Sequence, residues 1–173
     1  MFAKILGSSL ILLSSSFLGF YYSKGFQRRI DDLRVLKKAL ILLRGEVNYA
    51  LSPMPEALEN VSERFDHEIA HFFKSIADEL NLNQGKTLTQ VWKKHAVEVL
   101  EKTYLNGLDI KNLIMFSENI GYLDKEMQNN NIHLLLEQLD EEIKTAIEND
   151  AKYNKLYRSL GVLAGIFIIV VML

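Results

Sequence analysis

The chain ends in Leu160–Leu173, LGVLAGIFIIVVML, and the reading of this stretch decides the fold. It contains no charge, no amide and no hydroxyl, and the chain stops where the apolar run stops. As a helix it spans about 21 Å at 1.5 Å per residue, short of the roughly 30 Å of bilayer hydrocarbon. Taken alone it fits either a docked core helix or a membrane segment. The other end of the chain decides between them. Ile5–Tyr22, ILGSSLILLSSSFLGFYY, is an uncharged run behind Lys4, and as a helix it reaches about 27 Å, close to a full crossing. A cleaved signal peptide is the competing reading of this run. Against it, no small-residue cleavage site follows, and Lys24, Arg28 and Arg29 come next. Tyr21 and Tyr22 at the exit suit an interfacial aromatic belt. The run reads as an uncleaved anchor.

Working inward, the flanking charge sets the topology. Lys24, Arg28, Arg29, Arg34, Lys37 and Lys38 follow the first anchor, and Lys144, Lys152, Lys155 and Arg158 precede the second. Basic residues stay cytoplasmic, so the middle of the chain is expected inside and both tails outside. Tyr157 and a snorkelling Arg158 can eke out the short second anchor. The anchors should pair as an antiparallel hairpin through small residues four apart, Ser15 with Gly19 and Gly161 with Gly165. The expected organisation is an anchor at 1–23, a cytoplasmic helical bundle at 24–156 and an anchor at 157–173.

Composition agrees with this division. The chain has 173 residues, of which 49% are hydrophobic and 24% charged, and its mean hydropathy is +0.03. A net charge of −2 argues against a nucleic-acid partner, which calls for a basic stripe. With no cysteine, disulfides, thiolate metal sites and lipoprotein anchoring are excluded. The two prolines fall in one stretch, Ser52-Pro53-Met54-Pro55, and so few breakers favour long helices.

Apolar residues at Ile30, Leu33, Leu36, Leu40, Leu43, Val47 and Ala50 step by three and four, which predicts a first helix over 27–51 with one buried stripe. Gly25 is the only breaker between this helix and the anchor, so the two can run together. Gly45 costs about 1 kcal/mol against alanine in a helix and is read as a close contact. Ser52 is expected to cap a second helix with Pro53 at its first position. A third helix covers about 66–80, and Thr87 with Gln90 spells a capping box for a fourth. A fifth follows Asn106-Gly107 and closes at Gly121 as a left-handed cap. Asp124 caps a sixth, which carries Ile132, Leu135, Leu136, Leu139, Ile143 and Ile147 and continues without a breaker into the final anchor. The fold class is all-α, an antiparallel six-helix bundle with N- and C-terminal transmembrane helices.

The one motif with catalytic content is His67-Glu68-Ile69-Ala70-His71, a literal H-E-x-x-H. In zincins two histidines one turn apart bind zinc and the glutamate activates water. Here Ile69, Phe72, Phe73, Ile76 and Leu80 share one helix face, while His67, His71, Lys74 and Asp78 share the opposite, solvated one. A catalytic zinc needs a sheltered cleft, a third ligand and supporting partners, and nothing ties His95 or His133 to this pair. A membrane-anchored zinc metalloprotease is therefore the alternative reading, and the expected count of catalytic residues, metals and cofactors is none. No phosphate loop or serine nucleophile elbow occurs. The acidic residues Glu137, Asp140, Glu141 and Glu142 read as a solvated face, and Trp92 as core.

Glu46-Val47-Asn48-Tyr49-Ala50-Leu51-Ser52-Pro53-Met54-Pro55-Glu56-Ala57-Leu58 resembles the E-I-x-Y-x-x-T/S-P-L-P-E-A-L stretch of the stage III sporulation protein AB family. Ile120-Gly121-Tyr122-Leu123-Asp124 with Gln128 is similar to that family's L-G-x-x-D-x-x-x-Q, and Tyr157–Gly165 to its closing segment. Met54 for leucine, Ser117 for a common glycine and Gly45 depart from the pattern. The resemblance spans both anchors. It implies a non-enzymatic component of the transenvelope complex joining mother cell and forespore, with a cytoplasmic domain like that of type II secretion platform proteins. It also implies a secretion-type ATPase, the stage III sporulation protein AA, as partner beside other membrane subunits and the lipid bilayer. Glu46, Tyr49, Glu56, Asp124 and Gln128 are the candidate contacts for that ATPase, because the ends of the first helix and the start of the sixth should share the tip farthest from the membrane. The competing reading of these residues is as helix caps and staples. The sequence leaves homo-oligomerisation open.

Overall fold

A computed structural model describes residues 2–50, 52–82, 85–120 and 125–172. The described residues are helical with no strand: α1 (Phe2–Gly45), a π-helical segment (Glu46–Ala50), α2 (Met54–Ser62), α3 (Glu68–Asn81), α4 (Leu88–Lys102), α5 (Gly107–Ile120) and α6 (Lys125–Met172). The expected all-α class is what forms, and both predicted continuities are present. The first anchor runs into the first helix as 44 residues of α1, and the sixth helix runs to the end as 48 residues of α6. The chain divides into two compact units, a terminal one (Met1–Ile30 with Lys144–Leu173) and a central one (Asp31–Ile143).

In the terminal unit α1 and α6 lie antiparallel. Ser15 Oγ donates to the Gly161 carbonyl, and the Phe26 ring stacks on Tyr153 at 6.0 Å and leans on Tyr157 at 5.9 Å. Gly165 is buried. The large apolar side chains turn outward instead, with Phe17 70% and Phe167 69% exposed. In water two helices do the reverse and hide such side chains. Small residues and a hydroxyl at the seam with apolar side chains outside is the arrangement of helices surrounded by lipid. Among the described residues one helix, Glu126–Val171, is long and apolar enough to cross a bilayer by length and composition, with mean hydropathy 1.5 over its apolar window.

The central unit follows ordinary burial. Leu33, Leu36, Leu40 and Leu43 of α1 are fully buried, which is the stripe expected from their spacing. Opposite them lie Leu58 of α2, Ile69, Phe73 and Ile76 of α3, Trp92 of α4, Leu113 of α5 and Ile132 of α6, all buried. Trp92 is core, as its reading required, and meets Phe72, Phe73 and Phe116 in edge-on or tilted ring contacts at 5.2–5.9 Å. Successive helices α2 to α5 pack each on the next. Lys74 binds Glu59 across α2 and α3 at 2.5 Å, and Lys93 binds Glu118 across α4 and α5 at 2.6 Å. Within this unit the Lys37–Asp140 ion pair joins α1 to α6, and Asn48 Nδ2 of the π-helical segment donates to Asn129 Oδ1 of α6 at 2.9 Å.

Several local expectations are corrected. Ala50 belongs to the predicted stripe but is exposed, because the π-helical segment inserts extra residues per turn and rotates the stripe out of phase. A side chain on Gly45 would meet nothing within 4 Å, so this glycine marks the end of α1 and not a close contact. Pro53, at φ −55° and ψ 148°, is the residue that flanks α2. Its ψ is extended, so the helix begins one residue later than expected, and Ser52 Oγ instead donates to Glu46 Oε2 at 3.4 Å. On α6 Ala146 is buried while Ile147 is 43% exposed. Gly121 and Asp124, the expected caps, lie outside the described residues. The Thr87–Gln90 capping box forms with both of its hydrogen bonds, just after Gly85 takes φ 71° in the connection, a value that glycine reaches at no steric cost.

Candidate functional site

The residues proposed for partner contact gather around the π-helical segment. Tyr49 lies on it, 88% exposed, and Glu56 is exposed in the first turn of α2. Pro53 and Pro55 stiffen the chain between them by fixing φ. Glu46 is half-buried and holds this corner together. Its Oε2 accepts from Asn60 Nδ2 at 3.0 Å as well as from Ser52. The Asn48–Asn129 hydrogen bond sets the first turn of α6 against the same segment, and Gln128, its chain neighbour, is half-buried. Glu46, Tyr49 and Glu56 thus share one corner of the central unit, and Gln128 lies one residue from the Asn129 that contacts it. Asp124 lies outside the described residues. The surface presents one large aromatic ring and one carboxylate on backbone that is constrained by two prolines.

The H-E-x-x-H stretch is built differently from its expected helix face. His67 precedes α3 and caps it in extended backbone, φ −159° and ψ 155°. The Ile69 N–H donates to His67 Nδ1 at 3.1 Å. Acceptance at Nδ1 places the ring proton on Nε2, and Nε2 lies 3.2 Å from Asp32 Oδ1. Both ring nitrogens are therefore occupied by folding duties. His71 is exposed on α3, and no group of three or more histidine, aspartate or glutamate side chains converges as a metal site among the described residues. The motif is a helix cap that happens to spell a protease signature.

Asp32 was not evident from the sequence, where it looks like one more charge on α1. It is buried, and its Oδ2 accepts the Tyr104 N–H at 2.6 Å while Oδ1 faces His67. Burial raises its pKa above the ordinary value, opposed by the Tyr104 hydrogen bond and by His67. One carboxylate of α1 thereby fastens both the α2–α3 and the α4–α5 connections. A second unread cluster joins α3 to α4. Glu79 binds Lys86, Lys94 and His95 at 2.6–2.8 Å, and hydrogen bonds from Lys86, Lys94 and His95 pull its pKa down to about 2. His95 is buried with Nδ1 2.8 Å from Glu98. Asn106 Oδ1 accepts from the Leu108 and Asp109 N–H groups, and Asp109 Oδ2 accepts from the Asn106 N–H, a reciprocal box at the start of α5 that the N-x-x-D spacing could have revealed. Each cluster stabilises the helical body. His95 and Glu98 of α4 also line one pocket with Glu68 and His71 of α3, so the expectation that nothing ties His95 to the H-E-x-x-H pair is corrected, although no metal-binding group of three forms among the described residues.

The comparisons with known proteins agree with this helical architecture. The family described as stage III sporulation protein AB matches residues 4–173. Stage III sporulation protein AB of Bacillus subtilis (strain 168) is 26% identical over 170 residues, 98% of this chain and 99% of the relative. A solved structure of a stage III sporulation protein AB superposes with a TM-score of 0.66 at 22% identity, covering 71% of this chain and 96% of that one. A match over nearly the whole sequence, both apolar ends included, places the chain in the stage III sporulation protein AB family.

Proposed function

We propose that the protein is a non-enzymatic platform subunit of the sporulation transenvelope complex, coupling a cytoplasmic ATPase to a membrane channel. The observation that carries this reading is the continuity of α1 and α6. Each contributes, without a break in its helix, both to the terminal unit with its outward apolar side chains and to the central unit. An unbroken helix is stiff along its axis, so displacement at one end is not dissipated in a linker. The basic residues beside the apolar segments support a cytoplasmic central unit, and membership of a sporulation family supports a site in the mother-cell membrane around the forespore. The stage III sporulation protein AA is the ATPase expected to dock, and the corner bearing Tyr49 and Glu56 is its docking surface, with Gln128 contributing from the start of α6 and Glu46 bracing it. A protruding tyrosine is the residue type that anchors such interfaces.

The test is affinity purification of the full chain from membranes of sporulating cells. Tyr49→Ala with Glu56→Lys should lower recovery of the ATPase at least about tenfold, the loss of roughly 1.4 kcal/mol or more expected at an anchoring contact. The variant should melt like the parent, since both side chains are exposed. Undiminished recovery would remove the docking surface.

A further inference from the structure

The terminal unit carries an open cavity of about 390 Å³ lined by Gln27 of α1 and by Asp150, Ala151, Asn154, Lys155 and Ser159 of α6. This lies within the roughly 300–1,000 Å³ range of small-molecule sites. Its level along α6 is fixed by the neighbouring side chains. Ser159 is succeeded by Leu160, Leu163, Ile166 and Phe167, all exposed, and the Phe26, Tyr153 and Tyr157 rings stand beside the cavity residues in sequence and in contact with one another. Aromatic rings at the polar end of an apolar helix mark the headgroup layer. Lys152 lies over the Tyr153 ring at 5.2 Å, adding a cation at the same level.

The lining is not simply basic. It holds one carboxylate, Asp150, and one ammonium, Lys155, separated by about 7.5 Å along the helix axis, with Lys155 nearer the apolar segment. Asn154 Nδ2 donates to Asp150 Oδ1 at 3.0 Å and so orients the carboxylate, while Ser159 Oγ donates to the Lys155 carbonyl at 2.9 Å. A purely anionic headgroup would be repelled by Asp150. A zwitterion whose phosphate lies toward the acyl chains and whose cation lies outward matches both charges in order. A primary ammonium supplies three N–H donors to the carboxylate and the Gln27 amide oxygen, which a quaternary ammonium cannot. We propose that this cavity binds the headgroup of phosphatidylethanolamine, its phosphate on Lys155 and its ammonium on Asp150. The inference rests on the membrane reading of the terminal unit.

The full-length protein, reconstituted in nanodiscs of equal parts phosphatidylethanolamine, phosphatidylglycerol and phosphatidylcholine, is released into mild detergent and its retained lipids are weighed by native mass spectrometry. The expected result is retention of phosphatidylethanolamine about tenfold over phosphatidylcholine, the scale of a charge-assisted hydrogen bond. Asp150→Asn should abolish that preference, and Lys155→Gln should lower retention of phosphatidylethanolamine and phosphatidylglycerol together. Equal retention of all three lipids by the embedded wild-type protein overturns the headgroup site. So does preference for phosphatidylglycerol that Asp150→Asn leaves unchanged. Retention of soluble phosphoethanolamine by the protein together with no preference among the three lipids overturns the lipid as ligand in favour of a free metabolite. Failure of the protein to enter nanodiscs at all would instead remove the membrane reading beneath it.

Discussion

His67 shows how one side chain settles two questions. Its ring caps α3 and answers Asp32, so His67→Ala should destabilise the central unit by about 1–3 kcal/mol through a lost cap and a buried carboxylate left without that partner. Asparagine caps well, so His67→Asn should recover part of the loss, and neither variant should change the melting response to added zinc. Thermal denaturation with and without zinc reads both outcomes; a zinc-dependent rise in Tm lost with His67→Ala would revive the metal site. Glu79 gives a pH signature. Its pKa is lowered from 4.5 to about 2 by Lys86, Lys94 and His95, so between these values the unfolded chain binds more protons than the folded one. Its stabilising contribution is complete above pH 4.5 and is lost as pH falls toward 2. Glu79→Gln should therefore be less stable at neutral pH and show a shallower loss across that window in urea titrations. The spacing of His67 and His71 is visible in the chain, but the partners that define their work are far away in sequence. Asp32 is on another helix and Tyr104 donates only its backbone, so no local pattern could name them.

Elements were read more securely than single side chains, because periodicity and capping are local. The stripe Leu33, Leu36, Leu40, Leu43 and the Thr87–Gln90 box were legible and are present. The π-helical segment was not, since Val47 to Ala50 keeps the spacing of an ordinary helix in sequence and loses it only where the backbone widens. The same segment carries Tyr49 outward, and Tyr49 is a candidate contact through its place at the far end of the first helix and not through phase. Leu40, fully buried in the stripe, should cost about 2–5 kcal/mol when cut to alanine, measured as a drop in the urea midpoint with an unchanged slope. Gly85→Ala forces a φ of 71° on a residue with a side chain, and should cost on the order of 1 kcal/mol although a Cβ there meets no neighbour. A stabilising effect of that substitution would show that the connection relaxes.

For the whole molecule, the apolar ends and the basic residues next to them carry the functional reading, and composition alone made both visible. What composition does not show is the inversion of ordinary burial in the terminal unit, where Phe17 and Phe167 face outward and Ser15 meets Gly161 at the seam. That inversion supports the membrane reading of these helices, and the charge asymmetry supports the proposed orientation. The chain has no cysteine, so single reporters can be introduced on a silent background. The most direct measurement is labelling of Asp78→Cys, on the exposed face of α3, with a membrane-impermeant maleimide in intact protoplasts and again after permeabilisation. A membrane platform with a cytoplasmic body predicts labelling only after permeabilisation, and labelling in intact protoplasts would contradict it.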